Sequence, residues 1–443
     1  MTRADVVVAG AGIAGLACAA ALARERADVV VVDAARRPGG AVESAWCNGF
    51  LVERGPSTVR ATPELADLAL WSGTTLIEGR VAAPALVSHG ALLPLPPPLS
   101  ALLRGRPLGP AALAGLLGEP FRPHPRGPRS VRDFVEQRLG PGAAELADLA
   151  TLGIYGAPAD RVGFESAFPA LAADLAQHGS LLRRLLARLR ASHGEPRPER
   201  RGLVSTATGL GLLVDNLARG LGERLLLDTP LLHAVPVSGG FELELGGPQP
   251  ARLACRALVL ALPPDQVARV LELPRAERLA ARYRPSPQLL ASFALEDPAL
   301  AARWRRFGFL VPRRERLPLI GCLVPSAVFP GRAPDGSLLL TVFTAPELHA
   351  APDAEIARTL APLLRRLLGA AREPVLLDVR RHPQGIWLYD RRQRDRTRAL
   401  RARLAAAPGL HVAGAAYDGV SLGAAAASGL AAAASALAAA RAL

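Results

Sequence analysis

The residues with the clearest chemical potential are three glycines and an acid near the start of the chain. Gly10, Gly12 and Gly15 follow an apolar run rich in β-branched residues, and Asp33 ends a second such run. Gly10 permits a tight turn, Gly12 lets a phosphate approach the backbone, and Gly15 lets helix and strand pack closely. Asp33 is placed to accept hydrogen bonds from a ribose hydroxyl. The spacing therefore predicts a strand, a helix and a second strand that hold a dinucleotide, with its phosphates at the helix N-terminus.

A second glycine element follows this acid. It consists of Arg37, the pair Gly39 and Gly40, and then Gly55 and Pro56. A glycine pair lets another backbone segment lie against the nucleotide, and the guanidinium of Arg37 can reach the pyrophosphate. These residues resemble the signature of the flavin-containing amine oxidase superfamily, in which an acid is followed by R-x-G-G and later by G-F-x-x-E-x-G-P. The resemblance implies noncovalently bound FAD.

The other half of that signature lies near the C-terminus, where the chain predicts a strand, a glycine turn at Gly414 and an alanine-rich helix. In the resembled superfamily the last helix points its N-terminus at the flavin. This implies contacts from the backbone N–H groups of Val420, Ser421 and Leu422. Leu231 falls where the family places a backbone contact to the adenine. Taken alone, the last helix could instead be an alanine-rich helix that packs on the core.

The length of 443 residues exceeds one ordinary hydrophobic core, so the chain should divide into domains. We expect an α/β architecture with a Rossmann-like FAD-binding domain of the amine oxidase type, assembled from 1–84, 200–269 and 376–443. Residues 85–199 are expected to form a helical domain that associates with a membrane. Residues 270–375 are expected to form an α+β substrate domain.

The composition argues against a nucleic-acid partner, despite a net charge of +14. All 53 basic residues are arginine, which together with abundant Ala, Gly and Pro is typical of a GC-rich genome. Aromatic residues make up only 4% of the chain, so the stacking platforms of single-strand binders are missing. A basic face can still favour anionic lipid. The Pro-rich apolar stretch 92–117 and an arginine-studded helix expected at 181–190 therefore predict peripheral membrane association.

The cysteines and histidines favour neither a disulfide framework nor a metal site. Cys18, Cys47, Cys255 and Cys322 form no C-x-x-C pair, and the eight histidines lack metal-ligand spacing. No G-x-S-x-G nucleophile context is present either. We therefore expect no metal and a cytoplasmic protein, located in the cytosol or at the cytoplasmic face of the membrane.

Intermediate blocks sharpen the resemblance to the oxygen-dependent protoporphyrinogen oxidases. The blocks follow the order and spacing of that family and lie at 153–156, 168–169, 307–312, 329–330 and 414–420. The resemblance implies a flavoenzyme of haem biosynthesis, often a homodimer, that oxidises protoporphyrinogen IX or coproporphyrinogen III with O2. It places Gly153 and Tyr155 in the wall of the substrate pocket. No catalytic side chain is assigned, because the flavin N5 would take the hydride.

Departures from that family lie on the substrate side. Where the family offers an arginine to a substrate propionate, this chain has Pro84, and Arg80 is the nearest candidate to replace it. A later stretch keeps Tyr389, a further candidate for the pocket, but the Gly-His that follows in the family is Arg392-Gln393 here. Two alternatives stay open. One is an FAD-dependent oxidoreductase acting on another substrate, such as an amine or a polyene, and the other is a non-catalytic flavoprotein.

Overall fold

The computed structural model describes most of the chain. The described residues are 2–80, 83–94, 118–122, 129–140, 143–181, 183–184, 202–271 and 278–442. The two segments predicted to meet a membrane, 92–117 and 181–190, lie mostly outside these ranges. Membrane association through them stays a prediction.

Strands and helices are interspersed along the chain, with runs of consecutive strands over residues 29–60 and 225–260. The strands are β1 (Thr2–Ala9), β2 (Val29–Val32), β3 (Ser44–Cys47), β4 (Phe50–Glu53), β5 (Val59–Arg60), β6 (Ile77–Glu78), β7 (Ala85–Ser88), β8 (Ala91–Pro94), β9 (Leu203–Ser205), β10 (Leu225–Leu226), β11 (Leu231–Val237), β12 (Gly240–Leu245), β13 (Ala251–Leu260), β14 (Pro285–Glu296), β15 (Gly308–Leu310), β16 (Leu319–Leu323), β17 (Ser337–Thr344), β18 (Val375–Trp387) and β19 (Leu410–Val412). The helices are α1 (Ile13–Arg24), α2 (Pro63–Trp71), α3 (Val131–Leu139), α4 (Ala144–Tyr155), α5 (Phe164–Ala167), α6 (Pro169–His178), α7 (Gly211–Leu221), α8 (Pro264–Leu271), α9 (Pro298–Arg303), α10 (Pro325–Val328), α11 (Asp353–Leu368), α12 (Gln393–Leu404) and α13 (Leu422–Ala442).

The first sheet has the order β10-β2-β1-β13-β12-β11, and β19 pairs with the C-terminal half of β13. Strands β10, β2, β1, β13 and β19 are parallel, whereas β12 and β11 form an antiparallel extension. Runs such as VVVV in β2 suit a strand that is covered on both faces. Helices α1 and α13 belong to the core on one face, and α8 and α12 contribute to the core on the other. This confirms the predicted Rossmann-like fold.

The second sheet has the order β18-β14-β17-β16-β15-β7-β8, with α11 packed on one face. This sheet contains strands from outside the predicted substrate domain, 270–375. Strands β7 and β8 join it because β7 pairs in parallel with β15, and β18 joins it through a long antiparallel register with β14. The predicted divisions at 84/85 and 375/376 therefore do not coincide with the edges of the sheets.

A buried ion pair connects the end of β4 to the loop between α10 and β17. Glu53, at the end of β4, lies 3.7 Å from the guanidinium of Arg332, and both side chains are almost fully buried. The Glu53 carboxylate also accepts from the N–H of Leu210 at 2.9 Å, just before α7, and Arg332 donates to the hydroxyl of Ser205 at 2.6 Å. Burial raises the pKa of Glu53 and lowers that of Arg332. Removing either partner would leave an uncompensated buried charge.

Helices α3 to α6 form a small layer with an aromatic core. The rings of Phe134 and Phe164 stack with their centroids 3.6 Å apart, and Tyr155 packs edge-on against Phe168 at 6.1 Å. Tyr389, which follows β18, joins the same cluster. The helical layer is thereby connected to the segment that leads to the C-terminal helix.

Within the described ranges, α13 is long and apolar enough to cross a membrane, by length and composition alone. Half of its most apolar window is buried inside the protein. The helix packs along α1 so closely that a Cβ on Gly429 would lie 2.0 Å from the carbonyl oxygen of Ala14. These contacts are those of a core helix.

Replacing Gly15 with alanine should destabilise the protein, because the new Cβ would lie 1.8 Å from the carbonyl oxygen of Gly10. Overpacking of this kind costs about 1–3 kcal/mol. Gly220 is the matched control: it is also helical, is exposed, and a Cβ there meets nothing within 4 Å. Gly220→Ala should be neutral or stabilise by up to about 1 kcal/mol. Urea unfolding measures both variants, and equal effects would contradict the close approach at Gly15.

Candidate functional site

The N-terminal end of α1 follows a tight glycine turn, which keeps the space in front of the helix free of side chains. Gly10 has φ +104°, and a Cβ there would lie 2.5 Å from the carbonyl oxygen of Ala261. At Gly12, the residue before α1, a Cβ would meet nothing within 4 Å. The first N–H groups of the helix therefore face a space that a residue without a side chain keeps clear. A phosphate requires such a space.

Asp33 follows β2 and lies against this glycine turn. Its Oδ2 accepts a hydrogen bond of 2.5 Å from the backbone N–H of Ala11. The backbone N–H of Gly39 donates to the carbonyl oxygen of Ala11 at 2.8 Å. A Cβ on Gly40 would lie 3.3 Å from the Cα of Gly12. The structure thus brings the predicted acid and the predicted glycines together.

Arg37 has a different local role from the predicted one. Its guanidinium donates to the carbonyl oxygens of Pro38, Gly40 and Val42 at 2.8–3.1 Å. It also forms an ion pair of 2.7 Å with Glu43. These contacts occupy most of the donors of the guanidinium. In the structure Arg37 therefore stabilises the loop in which it lies. A direct contact between Arg37 and a pyrophosphate stays a prediction.

Gly55 and Pro56 continue the site beyond β4. A Cβ on Gly55 would lie 1.8 Å from the carbonyl oxygen of Ala41. The backbone N–H of Arg54 donates to the carbonyl oxygen of Glu43 at 2.8 Å. This second segment therefore runs directly alongside the loop that follows Gly40.

The C-terminal turn meets the same region from the other side. Gly414 has φ +125°, and a Cβ there would lie 3.9 Å from the Cβ of Ala14, in the first turn of α1. Val420 and Ser421 lead into α13, which begins at Leu422. The Ser421 hydroxyl accepts from the N–H of residue 424 at 3.1 Å and so caps the helix.

Leu231 is the first residue of β11. The N–H of Thr229 donates to the carbonyl oxygen of Asp33 at 2.8 Å, so Leu231 lies two residues from a direct contact with the ribose acid. This place fits the adenosine end of a dinucleotide. The adenine contact itself stays a prediction.

On the substrate side, α4 ends beside the second sheet. Gly153 is exposed, and a Cβ there would lie 3.8 Å from a methyl carbon of Leu310 in β15. Tyr155 is buried instead, with its ring 5.9 Å from that of Tyr389 and its hydroxyl donating to the carbonyl oxygen of Ala167. Burial raises the pKa of Tyr155 to about 12. Of the predicted wall residues, only Gly153 faces open space, whereas Tyr155 supports the wall from within.

Tyr389 connects this wall to the C-terminal turn, because its hydroxyl donates to the carbonyl oxygen of Ala415 at 2.8 Å. Burial raises the pKa of its phenol, so the hydroxyl stays protonated as a donor. Arg80 is exposed, and its backbone N–H donates to Val328 at 2.9 Å. Pro84 immediately precedes β7, which pairs with β15 at Leu310. Pro84 and Gly153 therefore both neighbour strand β15.

A charged cluster connects the residues that flank strands β3 and β4 to strand β18, and it was not predicted. The Arg54 guanidinium donates to Asp378 at 2.7 and 3.2 Å and to Glu43 at 2.8 Å. Arg380 lies 3.3 Å from Glu43, and the His382 Nε2 donates to the Arg54 carbonyl oxygen at 2.6 Å. These arginines hold the pKa of Glu43 below its usual value despite partial burial. None of these residues is among the predicted site residues, and Arg54 occupies the unspecified position of the E-x-G-P motif.

Gln393 was noted only as a departure from the family pattern, and the structure gives it a definite place. Its side chain is 1% exposed, and Nε2 donates to the carbonyl oxygens of Ala416 and Tyr417 at 2.9 and 3.1 Å. Gln393 therefore holds the turn between Gly414 and α13.

In the part of the chain that the structure describes, no group of His, Cys, Asp or Glu residues could hold a metal ion.

Fold and site together define a flavin-dependent oxidoreductase. Comparison with known proteins agrees: the chain belongs to the flavin-containing amine oxidoreductase family, which matches residues 13–437. It is 30% identical to a coproporphyrinogen III oxidase from Propionibacterium freudenreichii, over 94% of this chain and 88% of that protein. It is 27% identical to the chloroplastic protoporphyrinogen oxidase of Nicotiana tabacum, over 86% of this chain and 76% of that one.

A solved structure from Exiguobacterium sp. 255-15, provisionally assigned as a protoporphyrinogen oxidase, has a TM-score of 0.80 to this chain. Its sequence is 25% identical, and the alignment covers 98% of both chains. The predicted resemblance to the protoporphyrinogen oxidases within the amine oxidase superfamily is thereby confirmed.

Replacing His382 with glutamine should reduce the acid sensitivity of the fold. Burial and the neighbouring Arg380 hold the pKa of His382 below its usual 6.5, so the unfolded chain binds the proton more readily than the folded one. Stability is therefore lost as the pH falls through and below the ordinary histidine value. Glutamine keeps a donor for the Arg54 carbonyl oxygen without titrating. The thermal midpoint should fall less for His382→Gln than for the wild type between about pH 7 and pH 5, and equal falls would contradict this.

Proposed function

We propose that this protein binds FAD noncovalently and oxidises a porphyrinogen to a porphyrin with O2, as a step of haem biosynthesis. The observation that carries the cofactor assignment is the meeting of two glycine turns, at Gly12 and Gly414, beside the first turn of α1. The substrate assignment is supported by the relatives, whose names give protoporphyrinogen or coproporphyrinogen III as substrate.

The residues present suit three parts of an FAD molecule: the pyrophosphate, the adenosine ribose and the flavin end. The clear space at Gly12 suits the pyrophosphate, and the loop after Asp33 suits the adenosine ribose. Asp33 is held by the N–H of Ala11, which fixes its carboxylate in place. The N–H groups at the start of α13 suit the negative charge of the flavin end.

Bound FAD would supply three successive two-electron oxidations, because a porphyrinogen loses six electrons and six protons on becoming a porphyrin, and O2 would reoxidise the flavin after each one. The chain itself would contribute binding, orientation and exclusion of water. The buried pair Tyr155 and Tyr389 holds the end of α4 against the C-terminal turn, so Gly153 would face the substrate at a fixed distance from the cofactor. A glycine at that position leaves room for a flat macrocycle.

Peripheral association with the cytoplasmic face of a membrane and a homodimer belong to the same proposal. The membrane proposal is motivated by the apolar and basic segments 92–117 and 181–190.

Substitutions at Gly12 test the cofactor. Gly12 has φ −70°, which any residue adopts, and a Cβ there meets nothing within 4 Å. Gly12→Ala should therefore leave the unfolding of the apoprotein unchanged. It should weaken FAD binding by about tenfold or more, because the methyl group fills the space that the pyrophosphate needs. Gly12→Glu should abolish binding. Flavin released by acid precipitation identifies the cofactor, and unchanged FAD affinity in Gly12→Ala would contradict its placement here.

Substitutions at Gly153 and Pro84 test the substrate. Gly153→Leu should raise KM or abolish turnover of porphyrinogen while leaving bound FAD intact. Pro84→Arg restores a cation beside β15 and should raise kcat/KM, because a charge-assisted hydrogen bond would stabilise the bound transition state by up to about 1–3 kcal/mol. Pro84→Ala is the control without the charge. Porphyrin fluorescence measures the rates. Unchanged kinetics in both variants would mean that the substrate does not occupy this place.

A further inference from the structure

A chain of hydrogen bonds leads from α12 through the C-terminal turn to α13. Arg401 of α12 donates to both carboxylate oxygens of Asp418, at 2.9 and 2.7 Å. The Ser428 hydroxyl of α13 donates to Asp418 Oδ2 at 2.5 Å and accepts from the backbone N–H of Gly414 at 2.9 Å. The three side chains, here named the Arg401–Asp418–Ser428 relay, therefore connect a surface ion pair to one backbone N–H of the turn.

The backbone N–H that the relay binds belongs to Gly414, the first residue of the turn. Gly414 has φ +125° and lacks a side chain, so nothing in the residue itself restricts its backbone to one conformation. Contacts from outside must select it. Ser428 supplies such a contact, and Asp418 orients Ser428 by accepting a hydrogen bond from its hydroxyl.

Other side chains fix the carbonyl groups of the same turn. The Gln393 Nε2 donates to Ala416 and Tyr417, and the Tyr389 hydroxyl donates to Ala415. These contacts hold the middle of the turn, whereas the relay holds its first residue and Asp418. The relay is therefore not duplicated by Gln393 or Tyr389.

We propose that the relay is a positioning device for the cofactor. Arg401, Asp418 and Ser428 fix Gly414 and aim the N-terminus of α13 at the flavin, and all three are positioning residues. This inference rests on the proposed binding of FAD, but it does not depend on the identity of the substrate.

Two measurable consequences follow from the charge at the helix end. The N–H groups at the start of a helix stabilise negative charge, and a flavin that accepts electrons gains negative charge. A turn that no longer aims α13 should therefore bind FAD more weakly. It should also stabilise reduced flavin less, which makes the midpoint potential more negative.

The outer end of the relay makes these substitutions tolerable for the fold. Arg401 and Asp418 lie at the wall of a surface groove of about 740 Å³ between α12 and α13, so changes there disturb little packing. Asp418→Asn and Ser428→Ala remove the charge and the hydroxyl of the relay. Their matched controls are Asp395→Asn and Ser435→Ala. Asp395 pairs with Arg398 on the exposed side of α12, and the Ser435 hydroxyl donates within α13.

The experiment reconstitutes each apoprotein with FAD. Flavin fluorescence gives the dissociation constant, equilibration with redox dyes gives the midpoint potential, and circular dichroism gives the thermal midpoint of the apoprotein. Asp418→Asn and Ser428→Ala should raise the dissociation constant of FAD by about tenfold, which is the usual size of a lost charge-assisted hydrogen bond. Both should shift the potential to more negative values, and the two control variants should match the wild type.

A double variant separates a relay from two independent contacts. Arg401 and Ser428 both bind Asp418, so the effects of Arg401→Ala and Ser428→Ala on FAD affinity should be non-additive. Arg398→Ala replaces Arg401→Ala in the control cycle, which should be additive. Additive effects in both cycles would overturn the relay, as would wild-type affinity and potential in Asp418→Asn and Ser428→Ala.

The outcomes also separate this inference from the proposed function. If the wild type binds FAD but oxidises no porphyrinogen, the substrate proposal fails and the relay is still decided by affinity and potential. If the wild type binds no flavin, the relay is overturned together with the cofactor assignment. Equal losses in the relay variants and their controls would indicate general destabilisation and would also overturn it.

Discussion

Backbone contacts that exclude a Cβ atom hold the candidate cofactor site together. Gly15 lies against the carbonyl of Gly10, Gly10 lies against that of Ala261, and Gly429 lies against that of Ala14. These contacts join β1, α1, the turn after β13 and α13, which are far apart in sequence. Because the helices approach so closely, the starts of α1 and α13 face one region. Every later feature of the site depends on that placement.

Charged side chains hold the β3–β4 hairpin against the second sheet. Glu53 and Arg332 form a buried pair, and Arg54 connects Glu43 to Asp378 of β18. A buried pair of this kind adds little net stability compared with apolar packing, but breaking it is costly. These pairs therefore hold the β3–β4 hairpin in one position relative to strand β18 and to the loop that carries Arg332.

The glycine-rich part of this site could be predicted from the sequence, because each glycine is required by its local backbone and the spacing of the glycines is visible in the chain. Gly10, Gly12, Gly15 and Asp33 come together as expected. The contributions of Gln393 and of β18 could not be seen, since both depend on tertiary contacts. Gln393 bonds to carbonyl groups 23 and 24 residues further along the chain, and β18 pairs with β14 across 81 to 102 residues. Arg37 shows the same limit within one loop: its residue type suggested a phosphate ligand, whereas nearby carbonyl groups and Glu43 take up its donors.

The central claim is that this chain holds a flavin where a porphyrinogen can reduce it. Anaerobic mixing of the purified yellow protein with protoporphyrinogen IX, with coproporphyrinogen III and with a panel of amines tests it most directly. We expect the visible flavin absorbance to be lost with a porphyrinogen and to return when O2 is admitted, while porphyrin fluorescence appears. Loss of the absorbance with an amine alone, or with none of these compounds, would contradict it.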